Sequence, residues 1–118
     1  MTVRVSPVNR WAVLVRVDGE VDLGSARTLE ARLGQALETP DLLAVVVDLS
    51  GVGFLAAAGL STLVRVAERA ESMAVRLHLV AEHRAVLRPL EVTGLLPRFR
   101  VHADAADALS RYESASSR

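Results

Sequence analysis

The chain has 118 residues, 51% of them apolar, and a formal charge of zero in which every cation except histidine is arginine; it has no cysteine. That length supports one hydrophobic core and one domain, not two. The balanced charge, without a basic cluster or aromatic stripe, excludes the electrostatic footprint of a nucleic-acid binder, and the missing cysteine excludes disulfide frameworks and thiolate metal sites.

Thr2 to Ser6 and Trp11 to Asp18 are β-rich runs separated by Pro7, Val8, Asn9 and Arg10, which predicts an antiparallel hairpin. Gly19 to Asp22 reads as a loop. Asp22 then has the short acceptor side chain suited to cap a helix from about Gly24 to Glu38, whose inner stripe is Ala26, Leu29, Leu33 and Leu37. Pro40 stops it. Leu43 to Val47 is apolar without alternation and rich in valine, as expected of a central strand buried on both faces of a parallel sheet.

Asp48, Ser50, Gly51 and Gly53 are expected to end that strand and to leave a loop over Ser50 to Ala58. A helix starts near Ala57, with Leu60, Leu63, Val64 and Ala67 inside and Ser61, Arg65, Glu68 and Arg69 outside. Ala74 to Ala81 alternates Val75, Leu77 and Leu79 with Arg76 and His78, which predicts a strand with one less buried face near a sheet edge. Glu82 to Thr93 reads as a short helix containing Pro89 and capped by Gly94. Arg98 to His102 reads as a last strand, and Asp104 to Tyr112 as a last helix capped by Asp104. Residues 113–118 are expected to be a disordered tail.

Two strands followed by alternating helices and strands define an α/β layer fold. The expectation is a mostly parallel sheet of four to five strands, an N-terminal antiparallel hairpin strand and about four helices. Sites in open α/β sheets lie beyond the carboxyl ends of the strands, which points to Ser50 to Ala58. No apolar run approaches the roughly 20 residues that span a bilayer, and MTVRVSPVNRW has no core of signal-peptide length. The expected location is therefore the cytoplasm, without direct membrane insertion.

Catalytic and metal chemistry find little support. Asp18, Glu20 and Asp22 alternate and could face one way, but a hard cation needs more oxygen ligands. A strand end, a turn and a helix cap explain them better. His78, His83 and His102 lack short ligand spacing and are expected on the surface or rim. Ser50 or Ser61 with a histidine and Asp48 lacks a nucleophile-elbow sequence, and Gly51 and Gly53 belong to no phosphate loop of the G-x-x-x-x-G-K-[ST] type. No enzyme, cofactor or metal is implied. Ala56 to Ala58, small and apolar, reads as a surface for docking a partner.

The stretch Asp48-Leu49-Ser50, Val52, Phe54-Leu55 and Gly59-Leu60 resembles the STAS domains of bacterial anti-sigma factor antagonists and sulfate transporter tails, whose pattern runs D-L-S-x-V-x-F-[LIM]-D-S-[ST]-G-L. Arg88-Pro89-Leu90-Glu91-Val92-Thr93-Gly94-Leu95 is similar to a second family phrase, and Gly19-Glu20-Val21-Asp22 to a third. The resemblance spans residues 4–112. It breaks where the family carries Asp-Ser-Ser or Asp-Ser-Thr, because this chain has Ala56, Ala57 and Ala58, and the phosphoacceptor position 58 has no hydroxyl.

The resemblance implies an anti-sigma factor antagonist that binds an anti-sigma factor/serine kinase and frees a sigma factor. The contact surface it implies comprises Phe54, Ala56, Ala57, Ala58 and Gly59, the helix face at Ser61, Thr62 and Arg65, and the turn at Gly19, Glu20 and Asp22. Other small STAS proteins imply two competing readings. One is an accessory subunit of a transporter ATPase or another membrane assembly. The other is a ligand-binding module that uses the same cleft. The sequence sets no oligomeric state.

Overall fold

A strand that can be apolar on both sides must be covered on both sides, and the architecture follows from that requirement. A computed structural model describes the chain from Met1 to Ser116, and its side chains as far as Tyr112. Five strands lie side by side in chain order: β1 (Thr2–Pro7), β2 (Ala12–Val21), β3 (Ala44–Leu55), β4 (Arg76–Val80) and β5 (Arg100–His102). β1 is antiparallel to β2, and the other pairings are parallel. Helices α1 (Leu23–Leu37), α2 (Ala57–Ser72) and α3 (Arg84–Val92) cover one face, and α4 (Ala105–Ser116) covers the other.

The central run behaves as expected from Ala44 onward, whereas Leu43 lies before the strand and is 47% exposed. On one face Val45, Val47 and Leu49 join Val13, Val15 and Val17 of β2 beneath Leu29, Leu33, Leu63 and Leu90. On the other, Ala44 and Val46 meet Ala108, Leu109 and Tyr112 of α4. The caps also form where polar residues offer them. Asp22 accepts from the Ser25 amide at 2.9 Å, and the Asp22 amide donates to Ser25 Oγ at 3.0 Å, a reciprocal box. Gly94 takes φ +73° after α3, where its amide donates to Glu91 O and that of Leu95 to Leu90 O. This is the left-handed helix end that glycine favours. Asp104 Oδ1 accepts from the Asp107 amide at 2.7 Å at the start of α4.

Three expectations need correction. The stretches read as loops over Gly19 to Val21 and Ser50 to Leu55 are strand. They pair with each other, Asp18 with Gly51, Gly19 with Val52, Glu20 with Phe54 and Val21 with Leu55. Buried Val21, Leu49, Val52 and Leu55 carry the strands through their polar neighbours. Gly51 is a space rather than a break, since a Cβ there would lie 1.8 Å from Asp18 Oδ1. The register shifts between Arg16 and Asp18 and between Gly19 and Glu20, where Gly19 adopts φ +97°.

Second, β4 lies next to the edge strand, as expected, but has no less buried face. β5 lies outside it, α4 covers the side that carries His78, and every residue from Leu77 to Val80 is buried. Third, α4 ends at Ser116 rather than at the expected Tyr112; residues 117 and 118 lie outside the described residues.

Val46 is fully buried between β2, β4 and α4. Val46→Ala should lower unfolding free energy by about 1–3 kcal/mol, from lost transfer energy and the cavity left behind. Chemical denaturation checks this, and an unchanged midpoint would displace β3 from the centre of the core.

Candidate functional site

β2 and β3 run parallel and end side by side, and antiparallel β1 begins at that same end. Only Asp22 separates β2 from α1, and only Ala56 separates β3 from α2. The Ala56 amide donates to Val21 O at 2.9 Å, which ties the two strand ends together where both helices start. Ala56 is extended and provides no side-chain cap, and no acidic residue sits in the first turn of α2. The helix therefore meets solvent with its positive dipole end uncompensated by side chains.

Small residues here serve two purposes. Gly59 is buried, and a Cβ on it would come within 2.7 Å of Leu55 Cδ1 and 2.8 Å of Val21 Cγ1, so its smallness lets α2 sit directly on the strand ends. Ala57 is exposed and Ala58 half-buried, and they present a low apolar surface. Around them stand Leu23, 81% exposed, Phe54, 50% exposed, and Met1, 37% exposed. Apolar side chains of this size left in water at one end of a small domain mark a surface for contact.

The other residues implied for the surface are distributed unevenly. Glu20 is exposed, but on strand β2 rather than in a turn, and Gly19 is on the same strand. Asp22 is exposed and engaged in its cap, where the Ser25 amide, then its hydroxyl, holds the carboxyl below its ordinary value. Ser61 is exposed on α2. Thr62 is not on the outer face as expected: it is fully buried and its hydroxyl donates to Ala26 O of α1 at 3.4 Å. Three positions after buried Gly59, the helical period turns it inward. Arg65 is exposed but occupied, its Nε and Nη2 reaching Glu30 Oε1 at 3.1 and 2.7 Å. That bond holds the Glu30 carboxyl below its ordinary range and raises the Arg65 guanidinium.

Two residues of this end escape sequence reasoning. Leu23, the first residue of α1, stands three residues before Ala26 on the period of the buried stripe yet is 81% exposed, so periodicity gave no signal of it. His83 sits just before α3, and its Nε2 meets the Val52 carbonyl. β4 pairs with β3 only as far as Asp48, so beyond it β3 has no strand on that side and His83 supplies a partner instead. No spacing rule links residues 52 and 83.

Several of the residues considered for catalysis and metal binding have other partners. Asp18 pairs with Arg16 at 3.5 Å, and Asp48 accepts from both the amide and the hydroxyl of Ser50. His78, expected on the surface or rim, is buried, because α4 closes over its side of β4. Its nearest polar partners are His102 and Tyr112, not a serine.

The STAS domain family model matches residues 3–108. The chain is 36% identical over 110 residues, 93% of its length and 88% of the other's, to the anti-sigma-F factor antagonist RsfB of Mycobacterium tuberculosis. A crystal structure of an anti-sigma factor antagonist from Mycobacterium paratuberculosis superposes with a TM-score of 0.82 at 32% identity, covering 93% of this chain and 92% of that one. The anti-sigma factor antagonist SpoIIAA in its unphosphorylated form gives 0.80 at 19% identity, covering 96% and 97%, a likeness of fold. This chain belongs to the STAS domain family. Within the family its sequence likeness is to anti-sigma factor antagonists. Among the described residues, no helix is long and apolar enough to cross a membrane.

Gly59→Ala tests the packing at this end. Alanine gains up to about 1 kcal/mol of helix propensity, but overpacking against stiff Val21 costs about 1–3 kcal/mol. The expected outcome is a net loss of stability in denaturant titration. A gain would mean that α2 does not rest on the strand ends.

Proposed function

We propose that this chain is a cytoplasmic anti-sigma factor antagonist that acts by binding rather than catalysis. It engages an anti-sigma factor/serine kinase and so releases a sigma factor. The observation that supports this most directly is the exposed apolar group of Leu23, Phe54 and Ala57 around the uncapped start of α2. Ala56, Ala58, Ser61, Glu20, Gly19 and Asp22 complete the surface, with the paired Arg65 at its margin and buried Gly59 beneath it. Thr62 does not take part, because its side chain is enclosed.

In this reading the surface is kept permanently in its binding state. A phosphate at position 58 would be tolerated within the domain, by the free amides and dipole of α2. It would place about −1.5 to −2 charges in the apolar contact, so the penalty would fall on the complex. Ala58 has no oxygen to accept it. The buried Thr62 offers no replacement, and Ser61 is the exposed hydroxyl of the same turn.

Binding to the cognate anti-sigma factor, followed by calorimetry, tests the surface. Phe54→Ala and Ala58→Glu should each weaken binding about tenfold or more, equivalent to roughly 1.4 kcal/mol, with thermal midpoints close to wild type. Unchanged affinity in both would remove this end from the interface. Incubation with the partner kinase and ATP should leave the wild type without phosphate by intact mass, while Ala56→Asp with Ala58→Ser acquires it; phosphate on wild-type Ser61 would contradict permanent binding.

A further inference from the structure

Three helices share the large core, whereas α4 covers the opposite face alone and with little apolar bulk. Ala108, Leu109 and Tyr112 rest there on Ala12, Ala44, Val46 and Val80. Alanine contacts bury little area, so polar contacts carry more of the attachment. His78 of β4, 2% exposed, has Nε2 2.8 Å from Tyr112 Oη and Nδ1 3.0 Å from Nε2 of His102 on β5. His102 Nδ1 in turn lies 2.9 Å from Asp107 Oδ2. Both ends of this chain of contacts are on α4, and its middle is on the sheet.

The donors can be ordered without conflict. With neutral rings, Tyr112 donates to His78 Nε2, His78 Nδ1–H donates to His102 Nε2, and His102 Nδ1–H donates to the Asp107 carboxylate. One proton added to the pair can reside on His102, with His78 turning its own N–H toward Tyr112. A second proton cannot be placed, because it sets two N–H donors face to face at 3.0 Å.

We infer that this staple is a proton-operated latch: neutral His78 holds α4 on the sheet, and protonation of His78 releases it, baring Ala12, Ala44, Val46 and Val80. The groups around His78 favour that outcome. Arg76 lies on its own strand, Arg100 and His102 on β5, and Arg111 on α4, while the carboxylate of Asp107 is bonded to His102 rather than to His78. β3 presents Val46 opposite it, and Asp48, further along that strand, is bonded to Ser50.

Burial first, then the charges of His102 and the arginines, lowers His78 from 6.5 to about 4. Because its pKa is depressed while α4 is docked, the released state takes the proton first. Docking is at full strength above pH 6.5 and is lost as pH falls toward 4. At pH 5 the linkage loosens it roughly 30-fold relative to pH 7.5.

Amide hydrogen exchange on the intact chain, corrected for the intrinsic pH dependence of exchange, reads this directly. Between pH 7.5 and pH 5, protection in α4 should fall about 30-fold while α1 and α2 hold, and His78→Gln, which cannot titrate, should show no such fall. A fall under about threefold, an equal fall in α1 and α2, or a full fall in His78→Gln would each overturn the latch. Proton NMR of the wild-type His78 ring needs no variant: titration well below the ordinary histidine range supports the latch, and titration near 6.5 overturns it.

Discussion

The parallel pairing of β2 with β3, carried all the way to Val21 and Leu55, is the constraint on which the rest of the structure depends. It sets two strand ends together, and the Ala56 amide bonded to Val21 O locks them. From these ends α1 and α2 depart after a single residue each, so the helices inherit their positions from the sheet. Residues 54 to 61 are therefore scaffold and surface at once. Buried Leu55 and Gly59 hold the seam, while Phe54, Ala57 and Ser61 are left outside it.

The same constraint explains the composition of this end. A side chain at 59 would collide with Val21 and Leu55, and one at 51 with Asp18, so both positions are glycine. A polar N-cap at 56 would answer the free amides of α2; alanine leaves them to solvent or to a partner. The chain thus gives up local helix stabilisation at the place where its apolar surface is most exposed. It recovers order from α1, which meets α2 through the Arg65–Glu30 and Arg69–Glu38 ion pairs and through buried Thr62. Exposed pairs of that kind contribute modestly, so the buried leucines beneath them remain the principal tie.

Much of this was legible in the residues. Val45 to Val47 revealed the central strand because uniform apolarity admits few alternatives, and Asp22, Gly94 and Asp104 marked helix ends through local bonds. The strand extensions were hidden: Gly51, Gly53 and Asp48 are turn formers locally, and only the partner strand makes extended structure the better state. Thr62 and His78 were misplaced for a related reason. Polar residues were read as outward, but Ala26 O accepts the hydroxyl of one, and Tyr112 and His102 satisfy the other. Such burial depends on residues 24 to 36 positions away, beyond any periodicity.

The central claim is that the partner is met at the shared ends of β2 and β3. Chemical-shift mapping of the isotope-labelled chain, titrated with its anti-sigma factor, tests it most directly. The account predicts the largest changes at Glu20, Leu23, Phe54, Ala57, Ala58 and Ser61, with β1 and α4 little affected. Changes centred on β1 or α4, with the strand-end amides unmoved at saturation, would contradict it.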